Sequence, residues 1–330
     1  MFQIAAIALL ALTSPSDDFS DRLVLICEAY GKNLVAIRDE SGEILWQQKT
    51  RRDGHHDVHL LENGNVLFQD GWTRIVEMTL SKEVVWTYDA AKENGNEGRR
   101  VEVHAFERLS DGRTMIAESG PARIIEVDAK GELLHTIPLT VEHPDAHRDT
   151  RLVRRTKTGH YLVCHEGDGK VREYDRDGQV VWQYDIGTPV YGAIELKSGN
   201  RLIASGGGSS ILEVSPEGKV VWKLEGEVPG ARIALKWTTT LRERDNGNLI
   251  IGNCHAGEDN PQIFEITKDK EVVWRMHDFE HFGNGVAATE VLTDAQSRMV
   301  REKLKDVPEA VRLNNDVLEL GESQSAGSGR

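Results

Sequence analysis

The chain has 330 residues, 39% hydrophobic and 28% charged, with a formal net charge of −14 at pH 7 and a pI near 5.4. An acidic balance without clustered Lys and Arg argues against nucleic acid and anionic membranes as partners, because both are held through basic patches. The length suits one large domain.

At the N-terminus, Met1-Phe2-Gln3 precedes an apolar run from Ile4 to Leu12 that ends in Thr13-Ser14-Pro15-Ser16. This predicts a secretory signal peptide over residues 1–16, although its first residues lack Lys or Arg. The run is well short of the roughly 20 residues that span a bilayer. A periplasmic or secreted protein is expected, with no membrane insertion after cleavage.

From residue 23 the chain repeats one stretch six times: Glu43-Ile44-Leu45-Trp46, Glu83-Val84-Val85-Trp86, Glu132-Leu133-Leu134-His135, Gln179-Val180-Val181-Trp182, Lys219-Val220-Val221-Trp222 and Glu271-Val272-Val273-Trp274. Successive copies lie 40, 49, 47, 40 and 52 positions apart, a period that belongs to repeat architectures. Before most copies stands a Gly-containing turn such as Asp175-Arg176-Asp177-Gly178; Lys82 and Lys270 replace the Gly in two, so those turns are expected to be strained or longer. Upstream come a β-rich run (Ile75-Val76-Glu77-Met78 and its echoes), a hairpin turn at Gly64, Gly112, Gly159, Gly199 and Gly247, and a further run before it. Each repeat is therefore four short strands, A to D, joined by tight turns.

Such units bury their faces only by stacking, and radial stacking gives a propeller. Residues 17–293 are predicted to be all-β, a six-bladed β-propeller of four-stranded blades. The first copy supplies only B, C and D, and Val286 to Leu292 supplies a lone A, so one composite blade should close the ring. The repeated Trp should wedge between blades as a structural residue. Residues 294–330 are read as a helix around Ala295 to Arg312 docked on the outside, then a disordered Ser/Gly-rich tail. Cys27, Cys164 and Cys254 are spread over three blades without metal-binding spacing and read as core thiols.

The connections B to C and D to A share one face, vary in length and hold nine of the 12 histidines. Rigid scaffolds carry their binding groups on such loops. Eight residues before the A–B turn glycines stand His56, His104, Arg151, Tyr191 and Thr239, which in the predicted register share one level around the central channel. The ends of the B strands add Asp70, Glu118, His165, Ser205 and Asn253. His56 and His104 are candidates for base, nucleophile or metal ligand. Arg151, with Arg52 and Arg100 nearby, suits an anionic group, and Asp57 can orient His56 or bind backbone amides. His255 is a further candidate on the same face. Two or three imidazoles with a carboxylate can hold zinc, but the candidates lie on separate blades and their spacing supports no metal site.

The repeat, with Asn63-Gly64-Asn65 before strand B and Asp177-Gly178-Gln179-Val180-Val181-Trp182 into strand D, resembles the PQQ-binding-like repeat propellers. The segment His55-His56-Asp57-Val58-His59-Leu60-Leu61-Glu62-Asn63-Gly64-Asn65 is similar to one in arylsulfotransferases, periplasmic six-bladed propellers in which a channel histidine accepts the sulfuryl group and neighbouring His and Arg stabilise its charge. The resemblance implies that His56, His104 and Arg151 take such parts. Those enzymes are larger and carry an additional N-terminal domain, which is not expected here. Quinone-dependent dehydrogenases of the PQQ class generally use eight blades, so the quinone is not expected as a cofactor. Three readings follow: an exported propeller that binds a small anionic or polar ligand at the channel mouth, an arylsulfotransferase-like transferase or hydrolase at the same place, and a protein-interaction platform using the loop rim.

Overall fold

The computed structural model describes residues 21–319 apart from residue 52. The signal peptide expected over 1–16, Arg52 and the tail from residue 320 onward lie outside the described residues. Six four-stranded antiparallel sheets form the blades of a six-bladed β-propeller. Blade 1 contains Val58–Leu60, Val66–Gln69, Arg74–Met78 and Val84–Asp89; blade 2 contains Glu102–Arg108, Thr114–Ser119, Arg123–Val127 and Leu133–Pro138. Blade 3 runs from Val153–Arg155 to Val180–Asp185, blade 4 from Gly192–Glu195 to Val220–Glu225, and blade 5 from Trp237–Glu243 to Val272–Met276. In blade 6 the late strand Val286–Val291 pairs with Leu23–Glu28, which continues into Leu34–Asp39 and Ile44–Lys49. The composite blade joins the two ends of the ring by hydrogen bonds, and the separate blades keep only short, protected edges.

The B and C strands are almost wholly buried and the D strands lie outermost, with Val85, Val181 and Val221 exposed. The repeated Trp, except Trp86, whose indole N–H finds no partner, is a hydrogen-bonded clasp between blades. The indole N–H of Trp46 donates to the Leu80 carbonyl of blade 1 (3.0 Å), Trp182 to Pro216 of blade 4 (3.0 Å), Trp222 to Lys268 of blade 5 (2.7 Å), and Trp274 to the Glu40 carboxylate of blade 6 (2.8 Å). His135, which stands for Trp in blade 2, reaches the Arg176 carbonyl of blade 3 with Nε2 at 2.7 Å. Each of the five indoles also lies under a cation: Lys82 on Trp46, Arg108 on Trp86, Arg201 on Trp182, Lys268 and Lys270 on Trp222, Arg22 on Trp274. The Lys82 and Lys270 turns keep the length of the glycine turns and adopt positive φ (74° and 69°), so they are strained rather than longer.

The three cysteines are buried and unpaired. After the ring, helix Asp294–Leu304 starts in a Thr293–Gln296 capping box and inserts Val300 and Leu304 into the core shared by blades 6 and 1. None of the described helices is long and apolar enough to cross a membrane.

Two stability tests follow. Trp46 is fully buried, so Trp46→Ala should cost about 3–5 kcal/mol in urea unfolding, whereas Trp46→Phe keeps much of the ring and should cost clearly less. Lys270→Gly removes the left-handed strain while Lys268 still covers Trp222, and should stabilise by about 0.5–1 kcal/mol; a lowered melting temperature would count against the clasp geometry.

Candidate functional site

The level eight residues before the hairpin glycines is where the repeat departs from regular pairing. In blade 2 the register of strands A and B slips between Val103 and Ala105, so His104 is an extra, bulged residue, and bulges turn side chains away from their regular direction. In blade 1 strand A begins only at Val58. The preceding turn is held by Gln69, whose Oε1 accepts from the His56 N–H (2.7 Å) and the Asp57 N–H (3.2 Å) while its amide donates to the Val103 carbonyl of blade 2 (2.6 Å).

These departures bring four of the five positions together. The His56 and His104 rings are 4.7 Å apart edge to face. His56 Nδ1 lies 2.8 Å from the Tyr191 hydroxyl, Arg151 Nη1 lies 3.4 Å from His104 Nε2, and the Arg151 guanidinium stands 5.8 Å from the Tyr191 ring. Arg151 is held from behind by Glu166, which also binds Arg148. Thr239 is not part of the cluster, because its hydroxyl packs towards Gly252 of its own blade.

Burial, reinforced by the charge of Arg151 and opposed by Glu102, takes His104 down to about 4. Burial also drives His56 well below its ordinary value, with His104 and Arg151 adding to the shift, and pushes the Tyr191 hydroxyl well up. Both imidazoles are therefore neutral at pH 7. His104 donates Nδ1–H to the Thr150 carbonyl (2.6 Å). His56 keeps Nε2 buried without a protein hydrogen-bond partner.

Aromatic side chains surround the cluster. Trp72 stands 5.1 Å from His56, 5.9 Å from His104 and 5.3 Å from His147, measured between ring centres. Tyr30 lies 6.2 Å from His56 and 5.4 Å from His255, and Trp237 lies 6.4 Å from Tyr191. Two of these rings rest on glycines: a Cβ on Gly54 would come within 2.6 Å of Trp72, and one on Gly207 within 3.1 Å of Trp237. Tyr30 is fixed through its backbone, since Glu28 accepts from the N–H groups of Tyr30, Lys32 and Asn33. Tyr30 remains 39% exposed, and Trp72 and Trp237 are half-buried.

The B-strand residues do not join this mouth. Asp70 accepts from the Arg51 N–H, and Glu118 binds Arg123 and Asn96. Ser205 accepts from the Ser210 N–H, and Asn253 bridges Lys236 N–H and the Ala234 carbonyl. His165 is filled at both nitrogens by the Asp149 carbonyl (2.7 Å) and the Tyr174 hydroxyl (2.9 Å). These groups tie the loops down between the blades. Arg100 is exposed on the rim and pairs with Glu102, and His255 is exposed beside Tyr30.

Asp57 turns away from His56 and accepts two hydrogen bonds from Arg154 (2.7 and 2.8 Å) and one from the Phe106 N–H. Arg154 lines a separate cavity of about 370 Å³ at the other end of the channel, together with His59, Arg242 and Glu290. Trp72, Tyr30, Trp237 and Gln69 were not singled out in the sequence, and Glu102 and His147 only as members of the loop face, His147 among its nine histidines. A signal for two of them was present: of the seven Trp, five occupy the repeat position, and Trp72 and Trp237 do not.

Residues 31–206, just over half of the chain, match the family model PQQ_2, described as outer membrane protein assembly factor BamB. The chain belongs to this family. Among solved structures it is similar to a protein of unknown function from Bacteroides caccae, at 23% identity and a TM-score of 0.70, covering 80% of this chain and 97% of that one. It is also similar to a catalytically inactive virginiamycin B lyase from Staphylococcus aureus with quinupristin, at 12% identity and a TM-score of 0.54, covering 79% and 87%. The WD40 propeller domain of Doa1 matches at 16% identity and 0.53, covering 70% and 72%. At these identities the shared feature is the propeller fold. No curated protein matches the chain.

Asp57 gives a test of the channel's bracing. Burial raises its pKa, but Arg154 and His59 outweigh burial and bring it down from 3.8 to about 2. A depressed carboxylate stabilises the fold above its unfolded value, and that contribution, about 2 kcal/mol, should fade as pH falls from 4 towards 2. Asp57→Asn should remove this acid-dependent part and, by leaving Arg154 unpaired, cost at least about 2 kcal/mol at pH 7; unchanged denaturation midpoints would refute the bracing role.

Proposed function

We propose that the protein is an exported propeller that binds a small polar or anionic ligand carrying a flat ring at the loop-face mouth of its channel. The observation that carries this reading is His56. Its Nε2 is buried without a protein partner, a condition native structures rarely leave unanswered. The nitrogen belongs to a cluster edged by Tyr30, Trp72 and Trp237, none of which the repeat requires. Pre-formed aromatic walls with a few placed polar groups are the usual make-up of a small-molecule site. Arg151 offers the remaining guanidinium donors beside His104. Export rests on the apolar run before Ser16 and on membership of a family described by an outer-membrane assembly factor.

A second reading, histidine-dependent sulfuryl transfer, is favoured by the same nitrogen. In the tautomer that donates Nδ1–H to Tyr191, the Nε2 lone pair can attack the sulfur of an aryl sulfate. The S–O(aryl) bond breaks, the phenolate leaves, and a sulfated histidine remains.

One experiment addresses both. 4-Nitrophenyl sulfate, 4-nitrophenyl phosphate and a set of 4-nitrophenyl glycosides are tested by melting temperature and tryptophan fluorescence. At least one should stabilise the wild type and quench its fluorescence, and Trp72→Ala and His56→Ala should abolish both effects. If no probe acts, or if both variants respond like the wild type, the mouth is not a ligand site. Sulfated His56 in mass spectra after incubation with the sulfate ester would establish the transferase, and its absence would leave binding alone.

A further inference from the structure

We propose that Glu102, His104 and His147 form a binding site for one first-row divalent metal ion, with zinc as the reference case, at the edge of the channel mouth. The inference does not depend on the ligand-binding reading, since its three ligand atoms do not include His56 Nε2, which carries that reading. Glu102 and His104 lie two apart in strand A of blade 2, beside the register slip, and their side chains meet on one side of it. His147 comes from the long loop between blades 2 and 3. Glu102 Oε2 lies 3.3 Å from His104 Nε2 and 2.7 Å from His147 Nδ1, and the three atoms all fall within 4.8 Å of one another. Two ligands on a tetrahedral ion with bonds of about 2.0–2.1 Å stand about 3.3 Å apart, so the Glu102–His104 spacing already suits an ion.

The orientation of His104 is the second, independent observation. This ring has no solvent exposure, and it donates Nδ1–H to the Thr150 carbonyl. That bond fixes the tautomer and leaves a lone pair on Nε2, the arrangement that outer-shell carbonyls give to metal-bound imidazoles. The lone pair then faces a carboxylate oxygen at 3.3 Å, an acceptor against an acceptor, with the Arg151 guanidinium beside it only at 3.4 Å, and a cation between the two acceptors makes the contact favourable. A proton can fill the gap, and a metal ion competes with it.

The surroundings leave room for this. Arg100 takes the other oxygen, Oε1, at 3.0 Å, so Oε2, which only the two imidazoles meet, is the oxygen that an ion would take in exchange for the His147 hydrogen bond. Arg151 is turned by its bond to Glu166, so its guanidinium would stand beside the ion's open positions and favour an anionic ligand there. Trp72 packs edge to face on both imidazoles. Two imidazoles and one carboxylate suit zinc and its first-row neighbours better than calcium or magnesium, which take oxygen ligands. The other grouping among the described residues, Glu142, His143 and Asp168, is a poor rival because Lys170, Arg172 and the backbone N–H groups of residues 142 and 143 already occupy its carboxylates.

The test uses the full chain, stripped with EDTA and dialysed against zinc or cobalt(II), with bound metal measured by mass spectrometry and cobalt followed by its visible absorption. One ion per chain is expected. His147→Ala, a half-buried loop position, should weaken binding at least tenfold while circular dichroism shows the fold intact, and Glu102→Gln should act in the same direction. His143→Ala should bind like the wild type. No uptake by the wild type, or equal affinity in folded His147→Ala, would overturn the proposal.

Discussion

The structure depends on a clasp that one blade places on the next. A D-strand indole donates its N–H to the C–D turn of its neighbour while a cation from that side covers the ring. One such bond contributes only about 1 kcal/mol and one cation–π contact a similar amount. In a ring, however, each clasp sets the angle between two sheets, and small errors at six junctions would add up before the last blade met the first. The final junction is the most demanding, and there the acceptor changes from a carbonyl to the Glu40 carboxylate of the composite blade, the stronger partner for an N–H. His135 shows that the clasp needs a ring with an N–H and not an indole as such.

Once the blades are fixed, the channel's upper end is defined by where the repeat fails. A regular strand A would alternate its side chains and send neighbouring residues to opposite faces of the blade. The slip at His104 breaks that alternation in blade 2, and the late start of strand A frees residues 55 to 57 in blade 1. Local irregularity is tolerated because the B and C strands beneath are almost completely buried and carry the stability. The loops that bring Trp72, His147 and Tyr30 inwards are themselves tied by buried carboxylates: Asp149 accepts from the Gly120 and Asp145 N–H groups, and Glu28 from the N–H groups of Tyr30, Lys32 and Asn33 in its own loop.

The ring was legible in the sequence because it is written six times, and a period survives the loss of any one copy, including the Trp at 135. The composite blade was legible because the first copy lacked an A run and the last stretch had nothing to pair with. The level of His56, His104, Arg151 and Tyr191 could be counted from the hairpin glycines, since loops on the other face have constant length. The role of the B-strand ends could not. A buried Asp, Glu or Asn reads the same whether it faces a channel or caps a loop amide, and at Asp70, Glu118 and Asn253 the nearby backbone N–H groups and side chains decided the outcome. Lys82 and Lys270 were readable as substitutions for Gly, but that the chain would accept positive φ instead of lengthening follows from the clasp, which fixes where the turn must end.

The buried histidines show what distinguishes an available imidazole from a structural one. His55, His104 and His165 are all placed to donate Nδ1–H to a backbone carbonyl, of Glu28, Thr150 and Asp149 respectively, and this sets Nε2 as an acceptor in each neutral ring. In His55 and His165 a hydroxyl answers that acceptor, from Thr50 and Tyr174, so both nitrogens are satisfied and the rings serve the fold. In His104 no hydroxyl is present, and Nε2 meets a guanidinium at the limit of hydrogen bonding and a carboxylate that repels it. His56 is satisfied at one nitrogen only. Burial lowers the basicity of all four rings, so protonation near neutral pH does not resolve the difference. A buried neutral nitrogen without a good partner is costly to the fold, and of these four rings it is His56, with none at Nε2, and His104, with only the long contact to Arg151, that stand side by side among the aromatic side chains.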